Sequence, residues 1–251
     1  MEMQYFKWYS HSLNRDMECK VYGHAGQPML FVPCQDGRFF DFENYKMTET
    51  WRPWIEAGKV MVISIDTIDL ETWSDKNGDK RHRIELHECW FRYIVEEVAP
   101  LIRNIAKDRN GWEELPGITT FGCSLGALHA VNLYFRWPTI FTGMLALSGI
   151  YTGSFGFEDY MDDLVYQNSP VDYLNNMPYH HPYVSEYNNN HRAIICVGQG
   201  PWEMPETTFR LRDIINEKGI DVWVDVWGHD VEHDWPSWHK QVAYFAPHLF
   251  P

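Results

Sequence analysis

Residues Gly122-Cys123-Ser124-Leu125-Gly126 place a serine midway between two glycines. That spacing suits a strand that turns sharply into a helix and lifts the serine hydroxyl clear of the sheet edge, a turn too tight for a side chain at either glycine. A hydroxyl so presented can attack a carbonyl carbon once a base takes its proton. The pattern is short and gains weight from its surroundings. An apolar run at 118–121 leads in, and Leu125–Arg136 leads out with Leu125, Leu128, Val131 and Phe135 on one helical stripe. Cys123 is a rival nucleophile by residue type, but the position before the serine in such a turn faces the interior, where a thiol is inert. The serine needs a histidine and an acid, and His229, His233, Glu203, Glu206 and Asp225 all lie downstream.

Positioning these groups requires regular elements. Apolar runs at 29–32, 60–65, 118–121, 144–147, 194–197 and 222–227, rich in β-branched and aromatic residues, read as buried strands. Between them, 86–107 has helical periodicity that Pro100 should kink or divide, and 205–218 reads as a helix stopped by Gly219. Strands alternating with helices predict an α/β fold, a mainly parallel central sheet with helices on both faces and a site at the carboxyl ends of the strands. The stretch 150–191, rich in Tyr, Asn, Asp and Pro, lacks periodicity and is expected to be an irregular insertion capping the active site. At 251 residues with no linker, repeat or low-complexity tract, the chain is expected to form a single domain, 1–251.

With the serine turn, this architecture predicts the α/β-hydrolase fold, whose chain order is nucleophile, acid, histidine. His229 directly follows the last strand and is expected to be held in the turn. His233 stands before a final helix opened by Pro236 and is the expected base. Residues 229–233 also spell H-x-x-E-H, a zinc motif with His229 and His233 as ligands and Glu232 as base. That chemistry needs a helix, and the stretch between Trp227-Gly228 and Pro236 reads as a loop, so no metal is expected. The acid should follow the run 194–197, and Glu203 is the first carboxylate of that loop. Glu206 begins the next helix, where the dipole alone favours an acid, and Asp225 lies inside the last strand. The main-chain N–H groups of Leu125 and Gln35 are the expected oxyanion-hole donors, the latter in the loop after 29–32.

The formal net charge of -14, without any Lys/Arg-rich run, argues against a nucleic-acid partner. No apolar stretch is long enough to span a membrane and the first residues lack a secretory core, so the expected location is cytoplasmic. Five cysteines without C-x-x-C spacing are expected to be reduced. The sequence leaves room for a homo-oligomer.

The segments VYGHAGQPMLFVPCQDGRFFDFENYKM, VISIDTIDLETW, FGCSLGALHAVN, ALSGIY, YMDDLVYQNSPVDYL, VGQGPWE and WGHDVEHDWPSW span nearly the whole chain. By these the chain resembles the putative-esterase family of the α/β-hydrolases. That branch holds esterase D-like hydrolases, feruloyl esterases and mycolyltransferases, and the likeness is strongest to bacterial members labelled esterase family protein. The resemblance implies a serine carboxylic-ester hydrolase acting on a small-molecule ester through Ser124, His233 and Glu203, with no cofactor. Relatives place the acid about thirty residues before the histidine, which agrees with Glu203. Acyl transfer to an alcohol through the same acyl-enzyme, or a hydrolase fold kept as a binding module, are the alternative expectations.

Overall fold

The computed structural model describes residues 1–189 and 191–251. Strands β1 (Met3–Ser10), β2 (Arg15–Tyr22), β3 (Gln27–Val32), β4 (Val60–Ile65), β5 (Ile118–Cys123), β6 (Phe141–Leu147), β7 (Arg192–Val197) and β8 (Trp223–Val226) form one sheet. Their order is β1-β2-β4-β3-β5-β6-β7-β8. The β1/β2 and β2/β4 pairs are antiparallel and all others parallel. The expected mainly parallel sheet is present, extended at one edge by a hairpin that the apolar runs did not announce.

Side chains that alternate along each strand sort the core onto two faces. Met29, Phe31, Val60, Val62, Phe121, Leu145 and Cys196 pack against Met47, Trp51 and Ile55 of the helix Met47–Glu56 and against Trp238, Val242 and Phe245 of the helix Trp235–Leu249. On the opposite face, Leu30, Val32, Met61 and Ile63 meet Trp90, Ile94, Val98 and Ile102. Further along that face, Met144, Ala146 and Ile195 meet Leu128, Val131, Leu211 and Ile215. Helices therefore cover both faces, as the near-continuous apolar strands require.

The periodic stretch around Pro100 is not divided: it stays helical and is interrupted only by a widened turn ahead of the proline. The helix Lys80–Tyr93 passes through a π-helical turn at Ile94–Val98 into Ala99–Asn110 with helical backbone at every junction, and the widened turn lies just before Pro100, which has no N–H to give to the carbonyls of that turn. The helix Glu206–Lys218 stops at Gly219, whose φ of 68° is the left-handed conformation expected there. Segment 150–191, read as irregular, contains short helices at Ser154–Phe157, Asp163–Gln167, Pro170–Tyr173 and Pro182–Tyr187; its residue 190 lies outside the described residues. Helices of four to six residues are too short to show a period. The segment packs along the far half of the helix Leu125–Arg136, where Asn132 Nδ2 donates to Asn168 O at 3.1 Å and Tyr187 Oη to Phe135 O at 2.6 Å.

His87 is fully buried against Trp73, Trp90, Phe91 and His129, and neither of its ring nitrogens has a hydrogen-bond partner among the described residues. Burial, helped by nearby His129 and Arg136, holds its pKa well below the ordinary histidine value, so it folds neutral. The unfolded chain binds a proton below about pH 6.5 that the folded chain refuses, so stability is lost as pH falls through that value. Replacing His87 by Phe should make the free energy of denaturation fall less steeply from about pH 6.5 to about pH 5, by up to about 1.4 kcal/mol per pH unit. Urea titrations at several pH values would measure this, and parallel slopes would contradict it.

Candidate active site

β5 ends at Cys123 and a helix begins at Leu125, so Ser124 is the whole turn. Its φ of 56° and ψ of -127° form a strained conformation for a residue with a side chain. Both glycines are demanded by space. A Cβ on Gly122 would meet the Gly126 carbonyl, and one on Gly126 would meet the carbonyls of Val32 and Pro33 at the end of β3. The serine N–H donates to Leu147 O at 2.9 Å, tying the turn to β6. The neighbouring Cys123 is buried, and burial pushes its thiol pKa well above the ordinary value, which removes it as a thiolate nucleophile.

His233 reaches this serine from the loop after β8. Its Nε2 lies 2.9 Å from Ser124 Oγ, and its Nδ1 lies 3.3 Å from Glu203 Oε2 in the loop after β7. The two loops are joined through the main chain: Gln199 N donates to Gly228 O at 3.2 Å, Gly200 N to Val231 O at 2.9 Å and His233 N to Pro201 O at 3.1 Å. The Glu203 side chain is only 1% exposed, so its charge needs close partners. Its Oε1 accepts from Ser148 Oγ at 2.6 Å and from Gly198 N at 3.2 Å. Trp238 Nε1 donates to Ser148 Oγ at 3.0 Å, so the serine hydroxyl is oriented toward the acid from behind.

Leu125 is the first residue of the helix, so its N–H has no partner within the helix. Gln35 lies in a turn closed by Gly37 N donating to Cys34 O at 2.9 Å. Among the described residues neither the Leu125 nor the Gln35 main-chain N–H is taken by an acceptor, and the Val32 and Pro33 carbonyls beside Gly126 bring the two segments together.

Other candidates are placed elsewhere. His229 is exposed, with Nδ1 3.1 Å from Gln199 O, where it braces the turn. Glu206 is an exposed first residue of its helix, and Asp225 on β8 accepts from Trp227 Nε1 at 3.0 Å. The H-x-x-E-H residues lie in the loop between β8 and the helix at Trp235. Among the described residues no group of three or more His, Cys, Asp or Glu is placed to hold a metal. Ser148 and Trp238 were not found from sequence. Ser148 directly follows the apolar run 144–147, and a neutral residue there carries no signal of an ionic site.

The fold is the α/β-hydrolase fold, and the protein is an esterase-type enzyme. The model of the family described as "Putative esterase" matches residues 10–249, and the chain belongs to that family. Among solved structures it is similar to a ferulic acid esterase, with 14% identity and a TM-score of 0.74 over 99% of this chain and 98% of that one. An S-formylglutathione hydrolase from Agrobacterium tumefaciens is 16% identical, with a TM-score of 0.70 over 98% of this chain and 95% of that one. The fluorophosphonate-binding serine hydrolase FphF of Staphylococcus aureus is 11% identical, with a TM-score of 0.71 over 100% and 98% of the two chains. At these identities the likeness concerns the fold. No curated protein matches the chain significantly. Among the described residues, no helix is long and apolar enough to cross a membrane.

Removing the Ser148 hydroxyl takes a charge-assisted hydrogen bond from a buried carboxylate. Ser148→Ala should lower kcat for a nitrophenyl ester on the order of tenfold with KM little changed. Steady-state kinetics would show it, and an unaltered kcat would mean that the hydroxyl does not support the acid.

Proposed function

We propose that the protein hydrolyses small carboxylic esters by a two-step mechanism in which Ser124 is the nucleophile, His233 the proton carrier and Glu203 its orienting acid. The observation that supports this best is the unbroken path from Ser124 Oγ through both nitrogens of His233 to Glu203, at 2.9 and 3.3 Å. Glu203 accepts a hydrogen bond from Nδ1–H without taking its proton, which fixes the tautomer that leaves Nε2 free to take the serine proton. The alkoxide attacks the ester carbonyl, and the negative oxygen that forms is held by the N–H groups of Leu125 and Gln35. Protonated His233 then gives its proton to the departing alcohol, leaving an acyl group on Ser124. Water, deprotonated by the same histidine, releases the carboxylic acid and restores the serine. None of these steps needs a metal or an organic cofactor.

Ser124→Ala should reduce hydrolysis of nitrophenyl esters to the background rate while the circular dichroism spectrum stays that of the parent. A fluorophosphonate probe should label the native protein and leave the variant unlabelled. Turnover persisting in the variant, or a native protein that resists the probe while folded, would reject the mechanism. The ferulic acid esterase neighbour makes aryl-acyl esters a sensible part of the substrate panel. Product ratios with added alcohols or sugars separate hydrolysis from acyl transfer.

A further inference from the structure

We propose that Asp69, together with Ser74, is a positioning residue that sets the spacing between the two oxyanion donors. This inference rests on the reading above, in which Leu125 and Gln35 supply those donors. Asp69 opens the short turn Asp69–Glu71 after β4 and is only 1% exposed. Burying a carboxylate there is costly unless its partners hold it as an ion. Its two oxygens go to different elements. Oδ1 lies 3.1 Å from His129 Nε2, and Oδ2 accepts the Asp36 N–H at 3.3 Å.

Each partner belongs to a donor-bearing segment. His129 is buried on the helix that begins at Leu125, four residues on and therefore on the same helical face. Asp36 follows Gln35 in the turn that Gly37 N closes onto Cys34 O. Its φ of 61° at the third position is that of a type II turn. Such a turn can exchange its central peptide between two orientations. By accepting the N–H of that peptide, Asp69 holds one orientation and fixes the turn against the helix. Ser74 completes the anchor: its N–H donates to Asp69 O at 2.8 Å and its Oγ to Asp36 Oδ1 at 2.6 Å, while Gln35 Nε2 donates to that Oγ at 2.7 Å. One buried carboxylate thus bridges the two segments on which the proposed oxyanion hole depends.

The experiment compares Asp69→Asn and Ser74→Ala with the parent, using a nitrophenyl ester as substrate and an alkyl trifluoromethyl ketone as inhibitor. The ketone's adduct with the serine carries an oxyanion where the tetrahedral intermediate has one. Asp69→Asn should lower kcat by roughly ten- to a hundredfold, keep KM within about twofold and weaken the ketone by a factor close to the loss in kcat. Ser74→Ala should show the same pattern at a few-fold loss. A residue that only braced the fold would lower the melting temperature without linking kcat to ketone affinity. A folded Asp69→Asn protein with parental kcat and ketone affinity overturns the proposal. If that variant does not fold, Ser74→Ala decides: the paired loss supports the assignment and parental values overturn it. Failure of the nucleophile assignment is seen separately, as activity in Ser124→Ala.

Discussion

Close approach of the Gly126 backbone to the carbonyls of Val32 and Pro33 is the constraint on which the arrangement rests. β3 and β5 are neighbours, with Val32 paired to Gly122, so a helix leaving β5 at a steep angle must cross the end of β3 at backbone distance. Only then can Ser124 serve as the entire connection. Its strained conformation persists because the surroundings leave no alternative. Residues 125–135 are all buried, the helix is wedged between the sheet and the helices beside it, and the serine N–H is engaged by β6. The hydroxyl is therefore located by β3, β5 and β6 together and not by its own rotamer preference.

A second constraint is the buried carboxylate of Glu203. Its charge is tolerated because donors converge on it from the ends of β6 and β7 and from the histidine after β8. Ser148 adopts a φ of 54° to take part, a second non-glycine residue in the left-handed region beside the site. The loops carrying acid and histidine are joined by backbone hydrogen bonds, so the imidazole is held near its place before the carboxylate contributes. In the proposed mechanism the acid then acts on tautomer and charge, across the 3.3 Å between Glu203 Oε2 and His233 Nδ1.

Much of this could be read from residue patterns, because buried parallel strands and a fully buried helix impose strong ones. β4 at Val60–Ile65 and the helix Leu125–Arg136 fall where their apolar runs put them. The β1/β2 hairpin did not show itself: Met3, Tyr5 and Tyr9 point to solvent, and an edge strand with one wet face offers alternation without an apolar run. Asp79 hid the start of the helix Lys80–Tyr93, since its side chain caps His82 N at 2.8 Å and the polar first turn carries no stripe. At the site, Ser124, His233 and Glu203 were legible because fold order restricts where each can lie, and the structure brings those three together. Ser148, Trp238 and Asp69 were not legible. Their importance comes from what they touch across long stretches of chain, such as the 90 residues between Trp238 and Ser148, and no local pattern encodes such contacts.

Ser124 and His233 are 109 residues apart, and the strands that carry the acid and the base are the last two of the sheet. Without the residues of that interval the serine would have its turn but no proposed base to take its proton. In the proposed mechanism the base reaches the serine only through the pairing of β8 with β7. Under the proposed mechanism, a chain that lacks the last strand would keep the serine turn yet be unable to take up an acyl group from an ester.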